Sequence, residues 1–196
     1  MEELSKKKED VRIIRSKRDL ANALDELLSK KNYDDISIQE IVDTALVSKN
    51  TFYNNFLDKN ELLMFLFTRY SLEIYSKVEP YFNDESKSFS EISKITLNTV
   101  INFFDDYKDK IKKMVTNDRS KALYWNLNKF IQELIEFIFS KYKDKIPLDL
   151  EIELFSPFLS GGISNLIYHS FLNNLNKSKE EIYSYLENVI DLKFKK

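Results

Sequence analysis

The sequence predicts an all-α protein, and three observations carry that prediction. Among its 196 residues are only 2 glycines and 3 prolines, too few to turn the many short strands of an all-β fold. Apolar residues recur at three- and four-residue spacing over most of the chain, the period of a helix with one buried face. Helix start signals, a Ser or Asp with a Glu three residues later, occur at Ser37/Glu40, Asp58/Glu61, Ser88/Glu91 and Ser178/Glu181. This is the capping-box spacing, in which each side chain satisfies a free backbone N–H of the first turn. The length accommodates an N-terminal three-helix unit, residues 1–60, and a larger helical bundle, residues 61–196.

A first helix is predicted from about Val11 to Lys30, where Leu20, Leu24, Leu27 and Leu28 fall on one stripe. Lys6 to Lys8, Arg12, Arg15, Lys17 and Arg18 give it a basic lead-in, readable as a solvated arm or as a DNA contact. Tyr33 and Ile36 close a small core. Ser37 opens a second helix with Ile38, Ile41, Val42 and Ala45 inward. Ser48 opens a third, in which Phe52 and Phe56, four residues apart, anchor one side. The turn between the two, Ala45-Leu46-Val47, has the length a helix-turn-helix requires. The pairs Ile36/Ile41, Val47/Phe52 and Leu57/Leu62 each place a hydrophobe before a cap and another at the fourth helical position, which predicts three hydrophobic staples.

From Leu62 a long connecting helix should end near Pro80, because proline cannot donate the bond an interior turn needs. Ser88 opens a helix carrying Ile92, Ile95, Val100, Phe103 and Phe104 that ends by Asp105 to Asp109, and a short one follows around Ile111 to Val115. A long period with Leu123, Leu127, Phe130, Ile131, Leu134, Ile138 and Phe139 runs from Asp118 or Arg119 to about Tyr142. Asp149 to about Asn174 is apolar on more than one face and should be largely buried, with Pro157 kinking it or marking its first turn. Ser178 caps a last helix with Ile182, Tyr185, Leu186, Val189 and Ile190 on one stripe.

Composition removes several classes of function. Hydrophobic residues make up 43% and charged residues 32%, which rules against wholesale disorder. Cysteine is absent, excluding a disulfide framework and a thiolate metal site. His169 is the sole histidine, so neither a multi-histidine metal site nor a Ser-His-Asp triad elsewhere can be assembled. Carboxylates are plentiful, yet none joins a Gly-rich phosphate loop or a nucleophile motif. An enzyme is therefore the least favoured class, and no cofactor or metal is expected. The start MEELSKKKED lacks the apolar core of a signal peptide. The longest apolar run, Leu62 to Phe67, is far short of the roughly 20 residues of a membrane span. A cytoplasmic protein with no membrane partner is expected. A net charge of −2 and a pI near 5.7 argue against indiscriminate coating of nucleic acid, although a DNA reader needs positive groups on one surface only.

The pattern of Arg18, Leu20-Ala21, Tyr33, Ser37, Ile41-Val42, Ala45, Val47-Ser48, Thr51-Phe52-Tyr53, Phe56, Lys59 and Leu62-Leu63 resembles the DNA-binding domain of the TetR family of transcriptional regulators. The family usually has Gly where this chain has Leu46 in the turn, and Gly where it has Asn32. Asn tolerates a left-handed backbone, whereas Leu does not do so readily. Gly161-Gly162, Phe171 and Asn174 also resemble the C-terminal region of one subgroup, which more often has Trp at Phe171 and Gly at Leu175. Helical glycines cost roughly 1 kcal/mol each against alanine and call for a compensating close approach. The resemblance implies a homodimer through the last two helices. Tight packing within one subunit is the other reading.

With Phe52 and Phe56 turned inward, Asn50 and Asn54 point out from the opposite face of the third helix, flanked by Thr51 and Tyr53. Asparagine pairs bidentately with adenine and the Thr methyl meets a thymine methyl, which favours an A·T-containing half-site. Lys49 suits a guanine or a phosphate. The resemblance places Tyr53 and Lys59 on the phosphate backbone, with Ser37, Ser48 and Asn55 as helpers. The plainer alternatives are that both serines only cap, Tyr53 only packs and Lys59 is only solvated. A dimer of such readers expects a palindromic double-stranded operator, with half-sites about 34–36 Å apart.

The family's usual control is a small-molecule effector in the C-terminal bundle. Phe103, Tyr107, Tyr124, Trp125, Tyr168 and His169 are the aromatic or polar-tipped candidates to surround it, and core packing is the competing reading. The expected function is a repressor released by such an effector. The alternatives are an activator or adaptor controlled by a protein partner, and a helical interaction protein that no longer reads DNA.

Overall fold

The structure, a computed structural model, describes residues 11–114, 119–142, 151–171 and 177–194. Among these the regular elements are helices: α1 (Val11–Lys30), α2 (Ile38–Thr44), α3 (Lys49–Asn55), α4 (Lys59–Phe82), α5 (Phe89–Asp106), α6 (Lys108–Met114), α7 (Arg119–Lys141), α8 (Ile152–Phe171) and α9 (Lys179–Phe194), with a 3-10 turn at Tyr33–Asp35. Lys6 to Lys8, Val115, Asn174, Leu175 and the side chain of Phe171 lie outside the described part.

The chain divides into two compact units between Arg69 and Tyr70, inside α4 rather than at its start. In the first unit α1 packs on both α2 and α3. Leu20, Leu24, Leu28, Tyr33, Ile41 and Phe52 are fully buried between them. The opening turns of α4 belong to this unit because their side chains reach back into it. Tyr33 Oη donates to Asn60 Oδ1 at 3.1 Å, the Phe65 ring lies 5.5 Å from that of Phe56, and Arg69 donates to Asn22 Oδ1 at 2.8 Å. The third predicted staple does not form. Leu62 is buried but Leu57 is 85% exposed, and a side chain that exposed cannot clamp a buried one. Asp58 and Glu61 cap the helix instead, accepting the Glu61 and Leu57 N–H groups at 2.8 and 2.6 Å.

In the second unit α5 packs on α9, and α7 lies along α8. Tyr124 meets Tyr168 while Glu136 meets Ser156, so α7 and α8 run antiparallel. α4 does not stop at Pro80; it continues to Phe82. Proline withholds one bond, and burial of Val78 and Phe82 in a cluster with Phe89, Ile92, Ile138 and Tyr142 holds the final turn in place. Pro157 likewise lies within α8 rather than at its first turn.

α8 departs most from expectation. Its fully buried residues include Ser156, Ser160 and Ser164, whereas Leu154 and Phe158 are largely exposed. The small serine faces let α7 come close, and two of the hydroxyls donate, one across to α7 and one within α8. Ser156 donates to Glu136 Oε1 at 3.0 Å, and Ser160 donates to the Pro157 carbonyl at 3.2 Å. α8 thus carries apolar residues on two faces, Ile163 and Ile167 inward and Leu154 and Phe158 outward. Tyr185 of α9, placed by its spacing on the inward stripe, is exposed as well, while Ile182 and Leu186 are buried.

Candidate functional site

Ser37 begins α2 with a closed capping box. Its Oγ accepts the Glu40 N–H at 3.2 Å, and its own N–H and hydroxyl donate to Glu40 Oε2 at 2.9 Å. The Lys31 ammonium donates to the other Glu40 oxygen. Lys31 first, then the backbone and hydroxyl of Ser37, hold the Glu40 carboxyl down at about 2, because each of these donors favours the charged form.

The turn that follows is a Schellman motif. The Leu46 N–H donates to the Asp43 carbonyl at 3.2 Å and the Val47 N–H to the Val42 carbonyl at 3.0 Å, the two reverse bonds that close a helix C-terminus. The motif requires a left-handed residue, and Leu46 takes that place with φ 56°. Its side chain, 91% exposed, contributes no burial to offset the strain. The turn therefore keeps the helix-turn-helix geometry without the glycine the position favours.

α3 starts at once. Ser48 Oγ accepts the Thr51 N–H at 3.1 Å and lies 3.0 Å from the Thr51 hydroxyl. Phe52 is fully buried and Phe56 nearly so, with ring centroids 6.0 Å apart. Opposite Phe52, Asn50 and Asn54 are exposed, as are Lys49 and Tyr53 elsewhere on the helix, and Thr51 is half-buried. Tyr53 keeps an edge-on contact with Phe52 at 5.4 Å, which fixes the ring at its base.

Two of the expected backbone contacts are otherwise engaged. Lys59 Nζ donates to the carbonyls of Tyr33 and Ile36 at 2.8 and 2.5 Å and lies 4.3 Å from the centre of the Tyr33 ring. Its reach is inward, because the loop before α2 presents these carbonyls beside the first turn of α4. Asn55 folds back along α3, donating to the Thr51 carbonyl at 2.6 Å. Its amide oxygen is buried and has no hydrogen-bond partner.

The six aromatic candidates in the second unit form two separate groups. Phe103 and Tyr107 stack at 4.4 Å and are joined by Tyr70, while Tyr107 Oη donates to Glu73 Oε2 at 3.3 Å. Tyr124, Trp125, Tyr168 and His169 meet edge to face at 5.5 to 5.8 Å along α7 and α8, and Trp125 is 66% exposed. Within each group the rings pack on one another. A cavity of about 70 Å³ lies elsewhere, between α5, α7 and α8, with walls that include Thr96, Val100, Ile135, Ile138 and Ile163. None of the six lines it. The signal that points there is a pair of hydroxyls, Ser93 and Thr96, one turn apart on an otherwise apolar face of α5. Among the described residues no cluster of three or more His, Asp or Glu could hold a metal, and no helix is long and apolar enough to cross a membrane.

Residues 20–64 match the family described as bacterial regulatory proteins, tetR family. Over its length the chain is 22% identical to the HTH-type transcriptional regulator SAR2658 of Staphylococcus aureus (strain MRSA252), covering 83% of this chain and 85% of that one. It is 23% identical to the HTH-type dhaKLM operon transcriptional activator DhaS of Lactococcus lactis subsp. lactis (strain IL1403), covering 87% and 86%. A solved structure of the dihydroxyacetone kinase operon activator DhaS superposes with a TM-score of 0.69 over 93% of this chain and 97% of that one, at 21% identity. Likeness at this level shows a common fold.

Proposed function

We propose that the chain, whose residues 20–64 match the tetR family of bacterial regulatory proteins, is a DNA-binding transcriptional regulator of that family, acting as a homodimer that reads a palindromic operator and leaves it when an effector binds. The observation that carries the reading of DNA is the two-faced α3. Phe52 and the capping Phe56 are buried, Asn50 and Asn54 are exposed on the opposite face, and Lys49 and Tyr53 are exposed beside them. Asn50 and Asn54 take base edges, with an A·T preference, and Lys49 and Tyr53 take the groove wall and phosphates. Ser37 and Ser48 hold the helix starts. Lys59 and Asn55 act from within, as positioning residues.

Dimerisation through α8 and α9 is supported by the outward face of α8. A Cβ built on Gly162 meets nothing within 4 Å, so nothing in the subunit itself repays a helical glycine. A twin helix approaching across Leu154, Phe158 and Gly162 does. Effector control is supported by the cavity between α5, α7 and α8. A coupling of about 1–3 kcal/mol between it and the operator is enough for regulation. A second reading, activation rather than repression, is favoured by the similarity to DhaS, described as an activator.

Selection of duplexes from a random pool tests the reading. Enrichment of near-palindromes with A·T-containing half-sites one helical turn apart is expected. A folded sample that enriches no duplex at low salt ends it.

A further inference from the structure

The walls of the α5–α7–α8 cavity carry a chemical specification for what enters. Every lining residue is uncharged, and all but two are hydrocarbon side chains. The exceptions, Ser93 and Thr96, sit on one helix three residues apart, so the polar edge of the cavity is confined to one strip of α5.

Thr96 is 7% exposed, and its hydroxyl has no hydrogen-bond partner. A helical threonine has an acceptor at hand in the carbonyl four residues back. Thr99, one turn further along α5, uses it, donating to the Ile95 carbonyl at 2.8 Å. Thr96 makes no such bond. A buried hydroxyl without a partner is a standing cost, and the apolar walls supply nothing to relieve it.

We propose that this cavity binds a small, mainly aliphatic, electrically neutral molecule carrying one hydrogen-bonding oxygen, an alcohol or a ketone in class, and that Thr96 receives that oxygen. The proposal rests on the reading of this cavity as the effector site and specifies its ligand. Neutrality follows from the walls, because a carboxylate or ammonium enclosed there would meet no counter-charge and no set of donors. Size follows from the volume, about 70 Å³ against the roughly 10–15 Å³ that one water needs. That admits a short chain or small ring and excludes a nucleotide or a sugar phosphate.

The test uses the full chain with 1-hexanol, hexanoate and 1-chlorohexane as probes, read by NMR of isoleucine methyls. The methyls of Ile135, Ile138 and Ile163 should shift with 1-hexanol and 1-chlorohexane and stay unmoved with hexanoate. Thr96→Val keeps the shape and removes the hydroxyl. It should weaken 1-hexanol about fivefold, the worth of one neutral hydrogen bond, leave 1-chlorohexane unchanged, and raise the melting temperature of the unliganded protein. Ile135→Phe, with folding confirmed by circular dichroism, should block both probes. Hexanoate binding as tightly as hexanol, T96V affecting both neutral probes alike, or no probe shifting these methyls would each overturn the proposal. Operator release is measured separately by gel shift. Hexanol that binds at these methyls without releasing DNA supports the site and sinks effector control. DNA binding with no probe bound sinks the site and leaves the DNA reader standing.

Discussion

Lys59 holds Tyr33 twice, donating to its carbonyl at 2.8 Å and lying 4.3 Å from the centre of its ring. The lysine that opens α4 is thereby a bracket between that helix and the loop that enters α2. Lys59→Met keeps the stem and removes the donors. It should cost about 2 kcal/mol in urea unfolding, in the range for hydrogen bonds from a charged donor. The salt dependence of operator binding should keep its slope. A lysine spent on phosphate gives the opposite pair of results, unchanged stability and a slope reduced by about one.

Leu46 carries a left-handed backbone with its side chain in solvent. A non-glycine residue there costs about 1–2 kcal/mol, partly offset because glycine is freer in the unfolded chain. Leu46→Gly should therefore stabilise the protein by about 0.5–1 kcal/mol, read as a higher urea midpoint at constant m-value. Operator affinity should be unchanged, since both Schellman bonds come from the backbone. A destabilised L46G protein would mean that the leucine is covered in a way its exposure does not indicate.

Asn50 and Asn54 stand on the exposed face of α3 and Phe52 on its buried face. Alanine at either asparagine should leave stability within about 0.5 kcal/mol and relax base preference at one operator position by about 1–3 kcal/mol. Phe52→Ala should instead cost about 3–5 kcal/mol and weaken every site together. Binding assays on an operator library, paired with unfolding curves, separate the two outcomes.

The Glu40 carboxyl, held at about 2 against an ordinary 4.5 by Lys31 and Ser37, makes stability depend on pH. A depressed acid contributes stability that is fully present above its unfolded value and is lost as pH falls through the folded one. The advantage of the wild type over Glu40→Gln should be constant above about pH 5. It should shrink steadily between pH 4.5 and pH 2, and Lys31→Met should narrow that window from below. An advantage that persists unchanged at pH 2 would place the contribution in packing rather than charge.

Gly162 faces open space in the subunit. Gly162→Ala should raise the helicity of α8, worth about 1 kcal/mol by propensity alone, yet weaken self-association measured by sedimentation. If the mutant dimerised as well as the wild type, α8 would not be the surface that meets the twin.

The sequence by itself determined the helices and their starts. Capping boxes at Ser37, Ser88 and Ser178, and the buried pair Phe52 and Phe56, follow from spacings of three and four residues, and such local bonds do not depend on what lies far along the chain. Tertiary structure alone decided where side chains with two possible partners went. Lys59 turned to carbonyls more than twenty residues away, because the fold put them closer than solvent. α8 turned Ser156, Ser160 and Ser164 inward and Phe158 outward, a choice set by what its neighbours leave room for; hydrophobicity along one helix cannot register that. The cavity belongs to the same class: it is a gap between three helices, and no one of them encodes its shape.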